Sequence, residues 1–225
     1  MNLEQARFNM IEQQIRPWSV LDQTVLQTMG SIPRDAFVPE SLLSMAYADI
    51  ETPLAHGESM MFPRVEGRML QELELNIEDE CLEVGTGSGF VTACMATMSK
   101  HVDSIDIHED FLEVASDNLA QHNIANVLLE HKDAFKDLSN TRKKYDAIAV
   151  TGSIPEYIPL FEQLLKPDGR LFIVVGFGET MHAIKVQRGS DTLNKNPKNN
   201  FVRTSIFETK LKSLIGVEQK SAFTF

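Results

Sequence analysis

Along most of the chain, segments with apolar residues at helical spacing alternate with short apolar stretches typical of strands. Residues 90–98 and 109–121 carry apolar side chains at helical spacing, and a further helix is predicted over 157–165. Short apolar stretches typical of buried strands lie between and around them, at 82–84, 102–105, 127–130, 147–150 and 171–175. Strands that alternate with helices predict an α/β protein with a doubly wound, mostly parallel sheet of Rossmann-like architecture.

The pattern changes towards the C-terminus. Residues 183–187 and 202–207 alternate between apolar and polar side chains, which predicts an antiparallel pair of strands. With this pair the sheet has seven strands. The segment between them, 189–200, is polar and rich in Asn and Lys, and is predicted to be a loop.

The first 67 residues lack the strand–helix alternation. Helices are predicted over 3–16, 22–29 and, in short form, 41–46, and an extended segment over 32–39; residues 47–67 are predicted as loop, leading into a helix over 65–73. We therefore expect one compact unit, with an N-terminal helical and loop extension (1–67) and a sheet-based core (68–225). The extension is expected to cover the carboxyl edge of the sheet.

A glycine-rich turn connects the first core strand to its helix, in the sequence Glu83-Val84-Gly85-Thr86-Gly87-Ser88-Gly89. Glycines let the backbone pass close to a ligand, and a strand–turn–helix unit places that ligand at the carboxyl edge of a parallel sheet. The spacing does not fit a dinucleotide fingerprint, because Phe90 stands where a small residue is needed. Asp106 ends the next strand, where one carboxylate can accept hydrogen bonds from both ribose hydroxyls. The alternative is a turn used only for packing, with Asp106 as a solvated strand end.

Composition limits the function further. The 225 residues are 43% hydrophobic and carry a formal net charge of −11, so no basic field attracts nucleic acid. No apolar run approaches membrane-spanning length, so no membrane partner is expected. Cys81 and Cys94 are too few for a disulfide framework and are expected to be buried thiols. The expected location is the cytoplasm, and no metal site is assigned.

The segment from Glu83 to Gly89 resembles the first motif of class I S-adenosylmethionine (SAM)-dependent methyltransferases. Longer stretches of the chain resemble the protein-L-isoaspartate O-methyltransferase family. The shared residues are Pro33-Arg34 with Phe37-Val38-Pro39, Ala46-Tyr47 with Asp49, Pro53-Leu54 with Gly57, Pro63, Tyr145-Asp146-Ala147-Ile148 with Thr151, and Gln163-Leu164 with Gly169-Arg170-Leu171. The resemblance implies methyl transfer from SAM to a carboxylate of damaged protein, by a monomer or homodimer that acts on a protein, peptide or small-molecule acceptor.

The resemblance also implies a cofactor site. The residues that it assigns there are Glu83, Val84, Gly85, Thr86, Gly87, Ser88 and Gly89 around the methionyl portion, Asp106 and Ile107 at the ribose, Asp133 and Ala134 by the adenine, and Thr151. Asp133 fits a turn-forming residue at a strand end equally well.

The loop before Pro63 departs from the family pattern. Met61 stands at the position of the family's active-site serine, whereas Ser59 keeps the hydroxyl of a family threonine. Ser59 and Met61 are the candidate catalytic positions. A carboxylate acceptor is ionised at pH 7 and needs no general base. A phenol, thiol or amine acceptor would more often need one; the candidates are His56, Asp49, Glu58 and His108, none of which is assigned that role.

Two alternatives stay open beside the family activity. One is SAM-dependent methylation of a different, less polar acceptor, for which Met60-Met61-Phe62 would supply a more apolar site. The other is a non-catalytic SAM-binding protein, against which the intact glycine turn and ribose acid argue.

Overall fold

The structure is a computed structural model that describes residues 2–190 and 200–217. Its helices are α1 (Leu3–Met10), α2 (Gln23–Ser31), α3 (Pro63–Leu73), α4 (Phe90–Met98), α5 (Glu109–Gln121) and α6 (Ala134–Asp137). Its strands are β1 (Thr52–Pro53), β2 (Ser59–Met60), β3 (Glu80–Val84), β4 (His101–Asp106), β5 (Val127–His131), β6 (Tyr145–Ile154), β7 (Leu165–Phe177), β8 (Thr180–Arg188) and β9 (Phe201–Thr209). Among these described residues, no helix is both long enough and apolar enough to cross a bilayer.

Seven of the described strands form one sheet in the order β5-β4-β3-β6-β7-β8-β9. Strands β3 to β7 pair in parallel, and β8 runs antiparallel to both β7 and β9. The predicted mostly parallel, seven-stranded sheet is therefore confirmed. The chain builds outwards from β3 to β5 and then returns to the other side of β3 at β6. This reversal opens a crevice at the carboxyl ends of β3 and β6, where open α/β sheets bind ligands.

The N-terminal segment packs into the same core as the sheet. Helix α1 continues through a π-helical turn and a 3₁₀ turn to Trp18, close to the predicted helix over 3–16. A Cβ on Gly67 of α3 would lie 2.9 Å from Cγ2 of Ile15, so the two segments are in close contact. One buried apolar cluster includes Met10 and Ile15 as well as Phe172 of β7. The proposed division at residue 67 thus lies within a continuous core.

The helix predicted over 157–165 is wrong, since only a 3₁₀ turn at Glu162–Leu164 is present. Pro159 disfavours helical backbone at Ile158, and β7 already begins at Leu165, so only a short turn fits between them. Phe161 and Leu164 are buried against the sheet without a helix.

Two N-terminal predictions also need correction. The segment predicted as extended over 32–39 contains a 3₁₀ turn at Arg34–Phe37, and the loop predicted over 47–67 contains the short β1–β2 ladder and the start of α3 at Pro63. Most of the predicted polar loop, residues 191–199, lies outside the described residues. The two strands predicted on either side of it, β8 and β9, are confirmed.

Candidate functional site

A cavity of about 810 Å³ opens at the carboxyl ends of β3, β4 and β6. The sheet contributes one wall, and the loop over 52–60 and the segment 211–215 contribute the opposite walls. The predicted site residues that line it are Ser59, Met61, Val84, Gly85, Gly87, Asp106, Ile107, Ala134 and Thr151. The cavity therefore brings together most of the residues singled out in the sequence.

The glycine turn has a backbone that other residues rarely adopt. Gly85, Gly87 and Gly89 have φ angles of 98°, 53° and 85°. A Cβ on Gly85 would lie 2.3 Å from Oγ1 of Thr151, whose hydroxyl donates to the carbonyls of Val84 and Gly85. A Cβ on Gly87 would lie 3.3 Å from Cδ1 of Leu54, across the cavity. These two glycines hold the turn tightly between β6 and the covering loop.

Gly89 has a different use. It precedes α4 and does not line the cavity; a Cβ there would lie 3.0 Å from the Cβ of Ala115 in α5. The packing interpretation of the turn therefore applies to Gly89, whereas Gly85 and Gly87 line the cavity wall.

Asp106 is not a solvated strand end, because its side chain is only 7% exposed. Oδ2 accepts a hydrogen bond from the amide of Gly87 at 2.9 Å, and Oδ1 accepts one from the amide of His108 at 2.9 Å. A carboxylate offers about four acceptor sites, so each oxygen can still accept another donor. Asp106 thus fixes the glycine turn against β4 and presents free acceptor capacity to the cavity.

Glu83 is fully buried behind the glycine turn. Its Oε2 accepts hydrogen bonds from the hydroxyls of Thr92 and Ser104, and its Oε1 has no hydrogen-bond partner among the described residues. Burial raises the pKa of Glu83 to about 8, against the lowering effect of the two hydroxyls. Glu83 therefore carries a proton at neutral pH. With Thr86 and Ser88 it lines a smaller, adjoining cavity.

The structure places Asp133 at the start of α6, outside the residues that line the main cavity. Its Oδ1 accepts from the amides of Phe135 and Lys136, and its carboxylate pairs with the ammonium of Lys136. The side chain is thus a helix N-cap, which was the alternative interpretation of this residue. The neighbouring Ala134 does line the cavity.

Met61 and Ser59 face both cavities from the covering loop. Met61 is 4% exposed, and its carbonyl accepts from Nη2 of Arg34 at 3.0 Å. Arg34 is itself fully buried and donates through Nη1 to both carboxylate oxygens of Glu66, at 2.7 and 2.6 Å. The position of Met61 is therefore fixed by a buried ion pair.

The loop is attached on both sides of the cavity. On one side, Nζ of Lys212 donates to the carbonyl of Gly57 at 2.8 Å and to Glu58 at 2.5 Å. On the other, the ring of His56 bonds Asp110 of α5 at 2.8 Å. No sequence pattern predicts these contacts, because the partners are 54 or more residues apart and belong to no shared motif.

The family model for protein-L-isoaspartate(D-aspartate) O-methyltransferase matches residues 5–205. The chain belongs to this family. A protein-L-isoaspartate O-methyltransferase of Herpetosiphon aurantiacus is 30% identical over 213 residues, which cover 95% of this chain and 91% of that protein. One of Methanoculleus marisnigri is 35% identical over 181 residues, covering 80% of this chain and 81% of that protein.

A solved structure from Plasmodium falciparum, described as a protein-L-isoaspartate O-methyltransferase in complex with S-adenosyl-L-homocysteine, has the same fold. The TM-score is 0.76, with 21% sequence identity, and the match covers 95% of this chain and 98% of that one. The structure places the side chain of Met61 in the cavity wall.

Proposed function

We propose that this family member transfers a methyl group from SAM to a carboxylate of isoaspartyl residues in damaged protein. The observation that carries the proposal is the single cavity in which the glycine turn, Asp106 and the loop with Ser59 and Met61 meet. The curated relatives that bear the protein-L-isoaspartate O-methyltransferase name support the same activity.

The residues of the cavity fit the methyl donor. Gly85 and Gly87 form a cradle that side chains would fill, and Asp106 has acceptor capacity for a pair of hydroxyls. Ile107 and Ala134 add apolar surface suited to a flat base. The donor, when bound, supplies a methyl group on a positively charged sulfur, a reactive centre with a neutral leaving group.

The protein's own contribution is alignment and exclusion of water. The loop over 52–60 closes one side of the cavity, where Leu54 and Met61 are apolar neighbours of the turn. A reaction between aligned groups in a site that excludes water gains rate without a proton transfer. An acceptor carboxylate is already ionised at neutral pH, so this reaction needs no general base.

A second candidate, methylation of a less polar acceptor, is favoured by one observation. Met61 replaces a hydroxyl with a thioether in the wall that faces the reaction site, and Met60 beside it is also buried. A polarisable apolar side chain suits an apolar acceptor better than an anionic one.

The test is a methyl-release assay with labelled SAM and three acceptors: an isoaspartyl peptide, the same peptide with normal aspartate, and a cell extract. The proposed activity requires release from the isoaspartyl peptide and none from its twin. Turnover only with the extract would favour a different acceptor, and binding of SAM without turnover would favour a non-catalytic protein.

We further infer a protein or peptide as acceptor and the cytoplasm as location. Both cysteines, Cys81 and Cys94, are buried free thiols, which suits a reducing compartment. The net charge of −11 argues against nucleic acid as the acceptor. The expected assembly is a monomer or homodimer, which sedimentation of the full chain distinguishes.

A further inference from the structure

Three potential metal ligands meet at the rim of the cavity. They are His56 on the covering loop, His108 just before α5, and Asp110 in its first turn. One ligand atom of each lies within 4.8 Å of the others. His108 also lines the cavity, so the cluster connects the loop to the wall beneath it.

We propose that His56, His108 and Asp110 form a binding site for a divalent transition-metal ion of the Zn²⁺ type. Two imidazoles and one carboxylate are nitrogen and oxygen ligands that such ions prefer, and three protein ligands leave a coordination position for water. The metal site shares His108 with the wall of the cavity, but the proposal does not rest on the proposed methyl transfer.

The hydrogen bonding of the cluster supports this assignment. Nε2 of His108 is buried and has no hydrogen-bond partner among the described residues, so this ring has an uncompensated nitrogen. His56 and Asp110 already bond each other at 2.8 Å, which brings a second nitrogen and a carboxylate oxygen together.

The ligand side chains must rearrange to share an ion. Metal–ligand distances near 2.1 Å with tetrahedral angles require donor atoms about 3.4 Å apart, roughly 1.4 Å less than the widest separation allowed here. The two rings stack at 4.1 Å with an angle of 7° between their planes, so one ring must turn. The side chains of His56 and Asp110 are 43% and 56% exposed and are free to do so.

The charges around the site favour a cation. The positive N-terminal end of the α5 dipole repels a cation. Glu109 and Asp110 both lie in the first turn, however, and carry full negative charges that attract one. An ion bound here would link the loop that carries Ser59 and Met61 to α5 in place of the direct His56–Asp110 bond, beside the attachment made by Lys212.

Calorimetric titration of the full chain with ZnCl₂, without methyl donor, tests the site. We expect one ion per chain, with affinity reduced at least about tenfold in His56→Ala and in Asp110→Asn, since even partners of metal ligands change affinity by 10–100-fold. His101→Ala is the matched control, because His101 also bonds an aspartate, Asp103, but lies at the opposite end of β4. Its affinity should equal that of the wild type.

A measurement on the unchanged protein makes the test independent of folding defects. Long-range ¹H–¹⁵N NMR should show ring-nitrogen shifts of His56 and His108 on addition of ZnCl₂, and unchanged rings for His101 and His182. Equal affinity in wild type and His56→Ala, or shifts confined to other histidines, would overturn the proposal.

Discussion

At the scale of single residues, Asp106 has two roles: it holds the amides of Gly87 and His108, and it is the proposed acceptor for the ribose hydroxyls of SAM. One substitution removes both. Replacement by Ala removes the acceptor for the ribose hydroxyls and leaves the amides of Gly87 and His108 without their carboxylate. Charge-assisted hydrogen bonds contribute roughly 1.5–3 kcal/mol each, so the affinity for SAM should fall at least about tenfold. Calorimetry on Asp106→Ala measures this, and an unchanged affinity would remove Asp106 from the cofactor site.

Met61 is the position at which the sequence leads us to expect the serine of the family to be missing. If a hydroxyl at this position normally orients the acceptor, Met61→Ser should raise the methylation rate of an isoaspartyl peptide, because one transition-state hydrogen bond is worth about 2.7–4 kcal/mol, or roughly a hundred- to a thousandfold. Met60→Ser is the matched control, since Met60 is equally buried next to it. Wild-type turnover like that of an ordinary family member, unchanged in Met61→Ser, would show that the hydroxyl is not needed.

Glu83 predicts a pH dependence of stability. Its pKa is raised by burial to about 8 in the folded protein, against 4.5 for an ordinary glutamate, so the folded state binds the extra proton between these values. Stability contributed by this proton is fully present below pH 4.5 and is lost as pH rises towards 8, at no more than about 1.4 kcal/mol per pH unit. Glu83→Gln cannot titrate and should flatten this decline.

Urea unfolding of wild type and Glu83→Gln at several values between pH 5 and 9 checks the prediction. Glu80→Gln is the control, because Glu80 lies on the same strand but is only half-buried and is paired with Lys166. Parallel stability curves for wild type and Glu83→Gln would show that Glu83 is ionised throughout.

The sequence could identify residues of the site only where they follow one another or end neighbouring strands. Gly85 and Gly87 meet the first condition and Asp106 the second, and the structure places all three at the cavity. Lys212 and the His56–Asp110 pair could not be predicted, because only the folded topology brings these distant segments together. Asp133 was ambiguous for a physical reason, since a strand-end aspartate suits a helix cap and a ligand equally well.

At the scale of elements, prediction succeeded where burial produces a strict period. Helices α4 and α5 have the predicted bounds, 90–98 and 109–121; α5 buries one apolar face, whereas eight of the nine residues of α4 are buried. The prediction over 157–165 failed because Pro159 disfavours helical backbone at Ile158 and β7 begins at Leu165, which leaves no room for a helix. Composition alone does not distinguish a 3₁₀ turn from a helix or an extended strand. The turns at Arg34–Phe37 and Glu162–Leu164 could therefore not be predicted.

The buried ion pair of Arg34 and Glu66 joins the 3₁₀ turn at 34–37 to α3. Arg34→Met should lower the free energy of unfolding by about 3–5 kcal/mol, because it leaves a buried carboxyl without its partner. The double variant Arg34→Met, Glu66→Leu should recover much of that loss, since no buried charge remains. Urea unfolding of the three proteins measures both effects, and a double variant no more stable than Arg34→Met would contradict the explanation.

At the scale of the whole molecule, the N-terminal extension and the sheet share apolar contacts. Trp18 packs edge-on against Phe207 of β9 with 5.4 Å between ring centroids, and Met10, Ile15 and Phe172 belong to one buried cluster. Segments that share a core rarely unfold separately. We therefore expect the extension over 1–67 to be part of one cooperative unit rather than an independent domain.

Trp18 makes this last prediction testable, because it is the only tryptophan and lies in the extension. Its fluorescence reports the N-terminal segment, whereas far-ultraviolet circular dichroism reports the helices and strands of the whole chain. The two urea transitions should coincide. Ile15→Ala, which truncates a fully buried side chain of the extension, should lower both midpoints together by the equivalent of about 2–5 kcal/mol. A fluorescence transition that precedes the dichroism transition, and that alone shifts in Ile15→Ala, would show that the extension unfolds as a separate domain.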